Sequence, residues 1–195
     1  MENKQLKELL LQSLEHEMGG VHIYEAAVSA VRNEGLKTEF GKYLEQTRKH
    51  VQILETVFAT MKIDPREHSP GRQIIAMLGK SLVTAIKEAM ATNDATASEL
   101  VACECVVLAE TKDHLNWELI GECARHLAGE EKKVLQAAYD EIEDQEDEHL
   151  YHSKGWCREL WIQSLGMKAV LPPPEERRHV KTAIGAARAE QSARH

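Results

Sequence analysis

Long stretches of this chain repeat apolar residues in alternating steps of three and four, with almost nothing to interrupt them. That spacing is the signature of amphipathic helix and leaves little room for any other regular structure. From about Asn3 to Arg32 the stripe reads Leu6, Leu10, Ser13, Glu17, Val21, Tyr24, Val28 and Val31. Gly35 stands where a helix C-cap is expected. A second stripe then runs through Phe40, Leu44, Thr47, Val51, Leu54, Phe58 and Met61. So short a link between two long helices makes them antiparallel neighbours.

Pro65, Pro70 and Gly71 break the pattern. A shorter helix from about Arg72 to Ala91 follows and carries the chain back along the bundle. The next helix is expected from about Thr96 to His126, with the stripe Val101, Glu104, Leu108, Thr111, Leu115, Glu118 and Glu122. Gly129 marks a turn. The last long helix runs to about Leu165, with Leu135, Ala138, Ile142, Gln145, His149, His152, Trp156 and Leu160 inward. Hairpin, long crossover, hairpin is the order of an all-α antiparallel four-helix bundle with one extra helix in its crossover. Residues 1–166 form this bundle in the reading. Residues 167–195 form a tail, with a stiff polyproline-type linker at LPPPEE and a basic end that docks on an acidic bundle or stays free.

Composition narrows the function classes. A net charge of −8 argues against a general nucleic-acid binder. No apolar run approaches the roughly 20 residues that span a bilayer. The charged start MENKQLKELL lacks a signal-peptide apolar core, so a soluble, cytoplasmic protein is expected. Cys103, Cys105, Cys123 and Cys157 form no CxxC pair and read as reduced thiols. Trp156, Trp161 and Leu165 suggest a subunit interface or a cover for the bundle end.

The informative positions are those where a polar group breaks an apolar stripe, because a buried carboxylate or imidazole must be paired or metal-bound. The first helix has Glu17, the second Thr47 with His50 one turn on, and the helix from Thr96 has Glu104. The last helix has Gln145, Glu146, His149 and His152 in the run EDQEDEHLYH. Carboxylate-bridged two-metal sites are built from single Glu residues on two helices and Glu-x-x-His on the other two. Glu146-x-x-His149 is a complete match, whereas the second helix offers Thr47 where the pattern needs Glu. The expected ligands are therefore Glu17, His50, Glu104, Glu146 and His149, with His152 as a substitute. Hard oxygen donors with added imidazoles favour iron or manganese.

Heights along each hairpin agree with this set. Measured from the Gly35 turn, Glu17 lies roughly 27 Å up and His50 roughly 22 Å up. From Gly129, Glu104 lies roughly 37 Å up, His149 roughly 30 Å and His152 roughly 35 Å. Glu110 with His114, and Glu118 with Glu122 and His126, read as surface contacts between successive turns. Against the metal reading stands a metal-free one, in which the same Glu and His residues only hydrogen-bond to each other.

At these residues the chain resembles a known family. LEHEMGGVHIYEAAVSAVRNEGLKTEF is similar to the first hairpin of rubrerythrin-type proteins, with Glu17 where their first-helix ligand lies and Tyr24 one heptad on. YLEQTRKHVQILETVF resembles the second helix of a bacterial stress-associated ferritin-like family, which carries LEQTxxHVxxLEQVF. The likeness covers roughly residues 5–165. It implies a ferritin-like bundle, a homodimer, and a di-metal centre that meets a small oxidant such as peroxide or dioxygen. Ferroxidase- or peroxidase-like chemistry would follow if that centre is metallated. Two departures limit the implication: Thr47 replaces the Glu of the second-helix Glu-x-x-His, and no rubredoxin-like CxxC module is present.

Overall fold

The computed structural model describes residues 3–177, and the side chains of residues 4–175. Five α-helices account for most of them: α1 Asn3–Ala30, α2 Glu34–Met61, α3 Pro70–Ala91, α4 Ala95–His126 and α5 Gly129–Ser164. The fold is all-α, and the helices lie where the apolar spacing predicts them. Their ends have local causes. Asn33 caps α2 by accepting from the Gly35 and Leu36 N–H groups, Ser69 caps α3 beside Pro70, and Asp94 caps α4. Lys62 closes α2 in the left-handed conformation, with φ of 57°.

The helices form a bundle in which α1, α2, α5 and α4 make a ring. Adjacent members are antiparallel: Tyr24 meets Tyr43, His50 meets Gln145, Glu110 meets His149, and Arg32 meets Glu99. α3 lies across the outside of α1 and α4. It approaches α1 closely where Gly19 meets Gly79, a Cβ on Gly79 standing 3.6 Å from the Gly19 Cα. Two apolar clusters fill the ring. One is centred on Tyr24, Phe40, Tyr43, Val106 and Trp156, the other on Leu10, Leu54, Phe58, Trp117 and Ile142. Between them lies a polar layer.

The face of α4 differs from the expected one. Glu104, Thr111, Glu118 and Glu122 are exposed, as are Leu108 (61 %) and Leu115 (45 %). The buried face instead reads Cys103, Val106, Glu110, Asp113, Trp117, Ile120 and Ala124. Small residues share that face with Trp117 and Ile120, while Leu108, Leu115 and Leu119 lie off it, so these leucines do not mark the core side of α4. Trp156 is likewise buried, packing over the Gly35 turn, while Trp161 and Leu165 remain exposed.

After α5 the chain folds back instead of leaving as a straight linker. The Val170 N–H donates to Glu159, Pro173 is buried, and Pro174–Arg177 forms a 3-10 turn. Arg158 makes a two-pronged contact with Glu175. The expected basic tail beyond it lies outside the described residues. No described helix is long and apolar enough to cross a membrane.

Candidate metal centre

The polar layer is built from one or two side chains of each ring helix. Glu17 of α1, His50 of α2, Glu110 of α4, and Glu146 with His149 of α5 are all buried, Glu17 completely. Each sits on its helix's inward stripe, so the periodicity that buries the leucines also buries these groups. One ligand atom from each of Glu17, His50 and Glu146 lies within 4.8 Å of the others, and the same holds for Glu110, Glu146 and His149. Glu146 belongs to both groups. Its Oε1 is 3.1 Å from His50 Nδ1 and 3.5 Å from His149 Nδ1, and the two imidazoles stand nearly parallel, 5.7 Å apart. His50 Nδ1 is also 3.4 Å from Glu17, and His149 Nδ1 is 3.5 Å from Glu110.

The far side of each imidazole is held by the opposite helix. His50 Nε2 meets Gln145 Oε1 at 3.3 Å, and His149 Nε2 meets Gln46 Oε1 at 3.1 Å. A carboxamide oxygen can only accept, so each Nε2 carries the hydrogen and a neutral ring leaves its Nδ1 lone pair facing the carboxylates. Such outer bonds are the usual means of fixing the tautomer of a metal-ligating histidine. The carboxylates are oriented in a matching way. Trp117 Nε1 donates to Glu17 at 2.9 Å, and the Tyr24 hydroxyl donates to Glu110 at 2.8 Å.

Among the described residues, the buried atoms without a hydrogen-bond partner include one oxygen each of Glu17, Glu110, Glu146 and Asp113, and the Nδ1 atoms of His50 and His149. The contacts at Nδ1 have ion-pair distances without hydrogen-bond geometry. Unsatisfied buried groups of this kind are costly, and the cost is removed when a cation accepts their lone pairs. The spacing suits that role. Donors about 2.1 Å from one ion stand roughly 3.0–3.4 Å apart, close to the distances seen here.

Crowding shifts the protonation of Asp113, Glu146 and Glu110. Burial, reinforced by Glu17, Glu146 and Glu110, pushes Asp113 well above the usual carboxylate range. Burial and the Glu110 charge also raise Glu146. Burial opposes the charge on Glu110 too, but the His149 imidazole and the Tyr24 hydroxyl outweigh it and hold that carboxyl below its ordinary value. For His50, burial disfavours the cation, yet Glu17 and Glu146 overcome it and raise the imidazole well above its ordinary value.

Of the residues expected from sequence, Glu17, His50, Glu146 and His149 come together. Glu104 does not: it is exposed and accepts from Trp161 Nε1, because α4 turns another face inward. Glu110, read from sequence as a surface residue, takes its place in the cluster. His114 pairs with Asp147 rather than Glu110. His152 is buried but outside both groups, its Nδ1 sharing contacts with the Tyr43 hydroxyl and Glu39. A repeat in the sequence signals Glu110. Glu17 has Tyr24 seven residues on, and Glu110 has Trp117 seven residues on. No family model, curated protein or solved structure matches the chain.

Proposed function

We propose that this chain is a metal-binding protein of ferritin-like arrangement that holds iron or manganese in its bundle and serves in stress or oxidant defence. The observation that carries the metal reading is the convergence of two tautomer-fixed Nδ1 atoms and three carboxylates on one buried space. Glu17 and His50 would hold one ion, Glu110 and His149 a second, and Glu146 would span the two. Carboxylate-rich donor sets with added imidazoles suit iron and manganese. Such an ion supplies, when bound, reactivity toward peroxide or dioxygen. The surrounding residues exclude water and fix the donors: Trp117 and Tyr24 hold the carboxylates, and Gln46 and Gln145 hold the imidazoles. The role in oxidant defence and the homodimer rest on the resemblance of the first two helices to ferritin-like stress proteins.

One observation favours a second, metal-free reading. His50 already lies between Glu17 and Glu146, where a protonated imidazole would partly neutralise them. Elemental analysis after loading with manganese or ferrous iron separates the two. The metal reading expects about one to two ions per chain, a content reduced in Glu110→Ala and kept in Glu104→Ala. A metal-free unmutated protein leaves only the second reading.

A further inference from the structure

A cleft of about 360 Å³ opens between α4 and α5 and reaches inward to Trp117 and Glu146. Its walls are acidic. Glu118 and Glu122 stand one turn apart on α4, and Glu143 and Asp147 one turn apart on α5. Two basic side chains also line it, and both are engaged: Arg125 with Glu122, and His114 with Asp147 at 2.8 Å. Glu143 hydrogen-bonds to Tyr139, whose ring lies over Gly121 at the cleft wall. At the inner end, Glu146 is 1 % exposed and its Oε2 has no hydrogen-bond partner among the described residues.

The wall carboxylates do not converge on a point of their own. Among the described residues, the only groups of three potential ligands close enough to share an ion are the two that contain Glu146. The walls therefore form a path rather than a site. Low-dielectric walls that carry one sign of charge concentrate ions of the other sign and speed their arrival.

Other approaches to the centre are less suited to a cation. On the α1–α2 side, Arg48 bonds Glu25, and the residue corresponding to Glu146 is Thr47. The pocket between α1, α3 and α4 is smaller, about 240 Å³, and is lined mainly by apolar residues such as Ile23, Ile75, Leu78 and Leu82. Its one carboxylate, Glu15, is paired with Arg72, and its Lys112 repels cations. Moving a hydrated cation along such a wall strips its water without replacement.

We infer that divalent cations enter the Glu146 centre through this acidic α4–α5 cleft, passing the Glu118, Glu143 and Asp147 carboxylates. The inference rests on the metal reading above, and one experiment separates the two. Apo-protein is mixed rapidly with Mn²⁺, and uptake is followed by loss of the free ion's electron paramagnetic resonance signal. Glu118→Gln/Glu143→Gln is expected to load about tenfold more slowly, with weaker dependence on ionic strength and the same final manganese content. Glu25→Gln, on the opposite face, is expected to load at the unmutated rate. Wild-type loading speed in the double variant overturns the entry route while leaving the metal centre standing. A reduced final content also overturns it, by making these residues ligands. If the unmutated protein takes up no Mn²⁺, the metal reading itself fails.

Discussion

The two hairpins of the ring are built alike around the polar layer and differ at a few positions that matter. Glu17 with Tyr24 on α1 matches Glu110 with Trp117 on α4, and Gln46 with His50 on α2 matches Gln145 with His149 on α5. Each part reaches across to the other half: Tyr24 to Glu110, Trp117 to Glu17, Gln46 to His149 and Gln145 to His50. The halves part at Thr47 against Glu146, Gly20 against Asp113, and Arg48 against Asp147. On the first hairpin a Cβ on Gly20 would sit 3.3 Å from the Thr47 methyl, so that side is closed by small residues in contact. On the second, acids fill the same places. The first hairpin thus brings one buried acid, Glu17, to the layer, and the second brings three, Glu110, Asp113 and Glu146.

Glu146 is the one carboxylate shared by both potential sites, so Glu146→Ala is expected to have the largest effect: loss of all bound metal, read by elemental analysis. Thr47→Ala, at the matching position, is expected to leave metal content unchanged. Equal losses in the two variants would remove the asymmetry.

Thr47→Glu restores the missing acid and tests whether the first half can accept charge. Without metal, it adds an uncompensated carboxylate to a buried layer that already holds four acids. The expected cost is about 3–5 kcal/mol. Ligand binding to the folded state offsets such a cost by mass action. Thermal melts should therefore show a large fall in Tm for the apo variant and recovery on adding Mn²⁺. A fall without recovery would show that α2 cannot supply a ligand there.

The glutamines test whether the halves are equivalent where they look equivalent. Gln46→Leu and Gln145→Leu each free one imidazole from its outer hydrogen bond. Either is expected to weaken metal binding by about 10–100-fold, measured by competition with a chelator. Similar losses would support two comparable half-sites. A loss confined to Gln46→Leu would place the tighter ion on the His149 side.

The helices differ in how plainly their sequences mark the buried layer. α1, α2 and α5 bury large aliphatic and aromatic side chains on one stripe, so their polar interruptions at Glu17, His50, Glu146 and His149 stand out. α4 is mixed. Beside Val106, Trp117 and Ile120 it buries the small Ala102, Cys103, Cys105, Ala109 and Gly121, and it leaves Leu108, Leu115 and Leu119 exposed. A stripe drawn through its leucines therefore selects Glu104 and passes over Glu110. The glutamate-to-aromatic spacing shared by α1 and α4 carries the correct register, because it reflects contacts between the halves rather than hydrophobicity. The cleft between α4 and α5 is not legible at all in one helix, since its walls come from two.

The smallest expected effect concerns the ion pairs that flank the layer. On the first hairpin, Arg48 and Glu25 stay charged across the neutral range. On the second, His114 depends on protonation for its charge, and its hydrogen bond to Asp147 raises the imidazole above its ordinary value. A histidine whose folded value is raised adds stability that is fully present below its unfolded value, about 6.5, and is lost as pH rises through the folded value. This pair should therefore contribute a slight decline in Tm from acidic to alkaline pH across that window, equivalent to less than about 1 kcal/mol for its partly exposed groups, beside the contribution of His50. Asp147→Asn should remove that contribution and return the His114 titration, followed by NMR, toward the ordinary value. Glu25→Gln should change neither. If Asp147→Asn leaves the His114 titration where it was, the pair does not set that charge, and the contrast between the two flanks is lost.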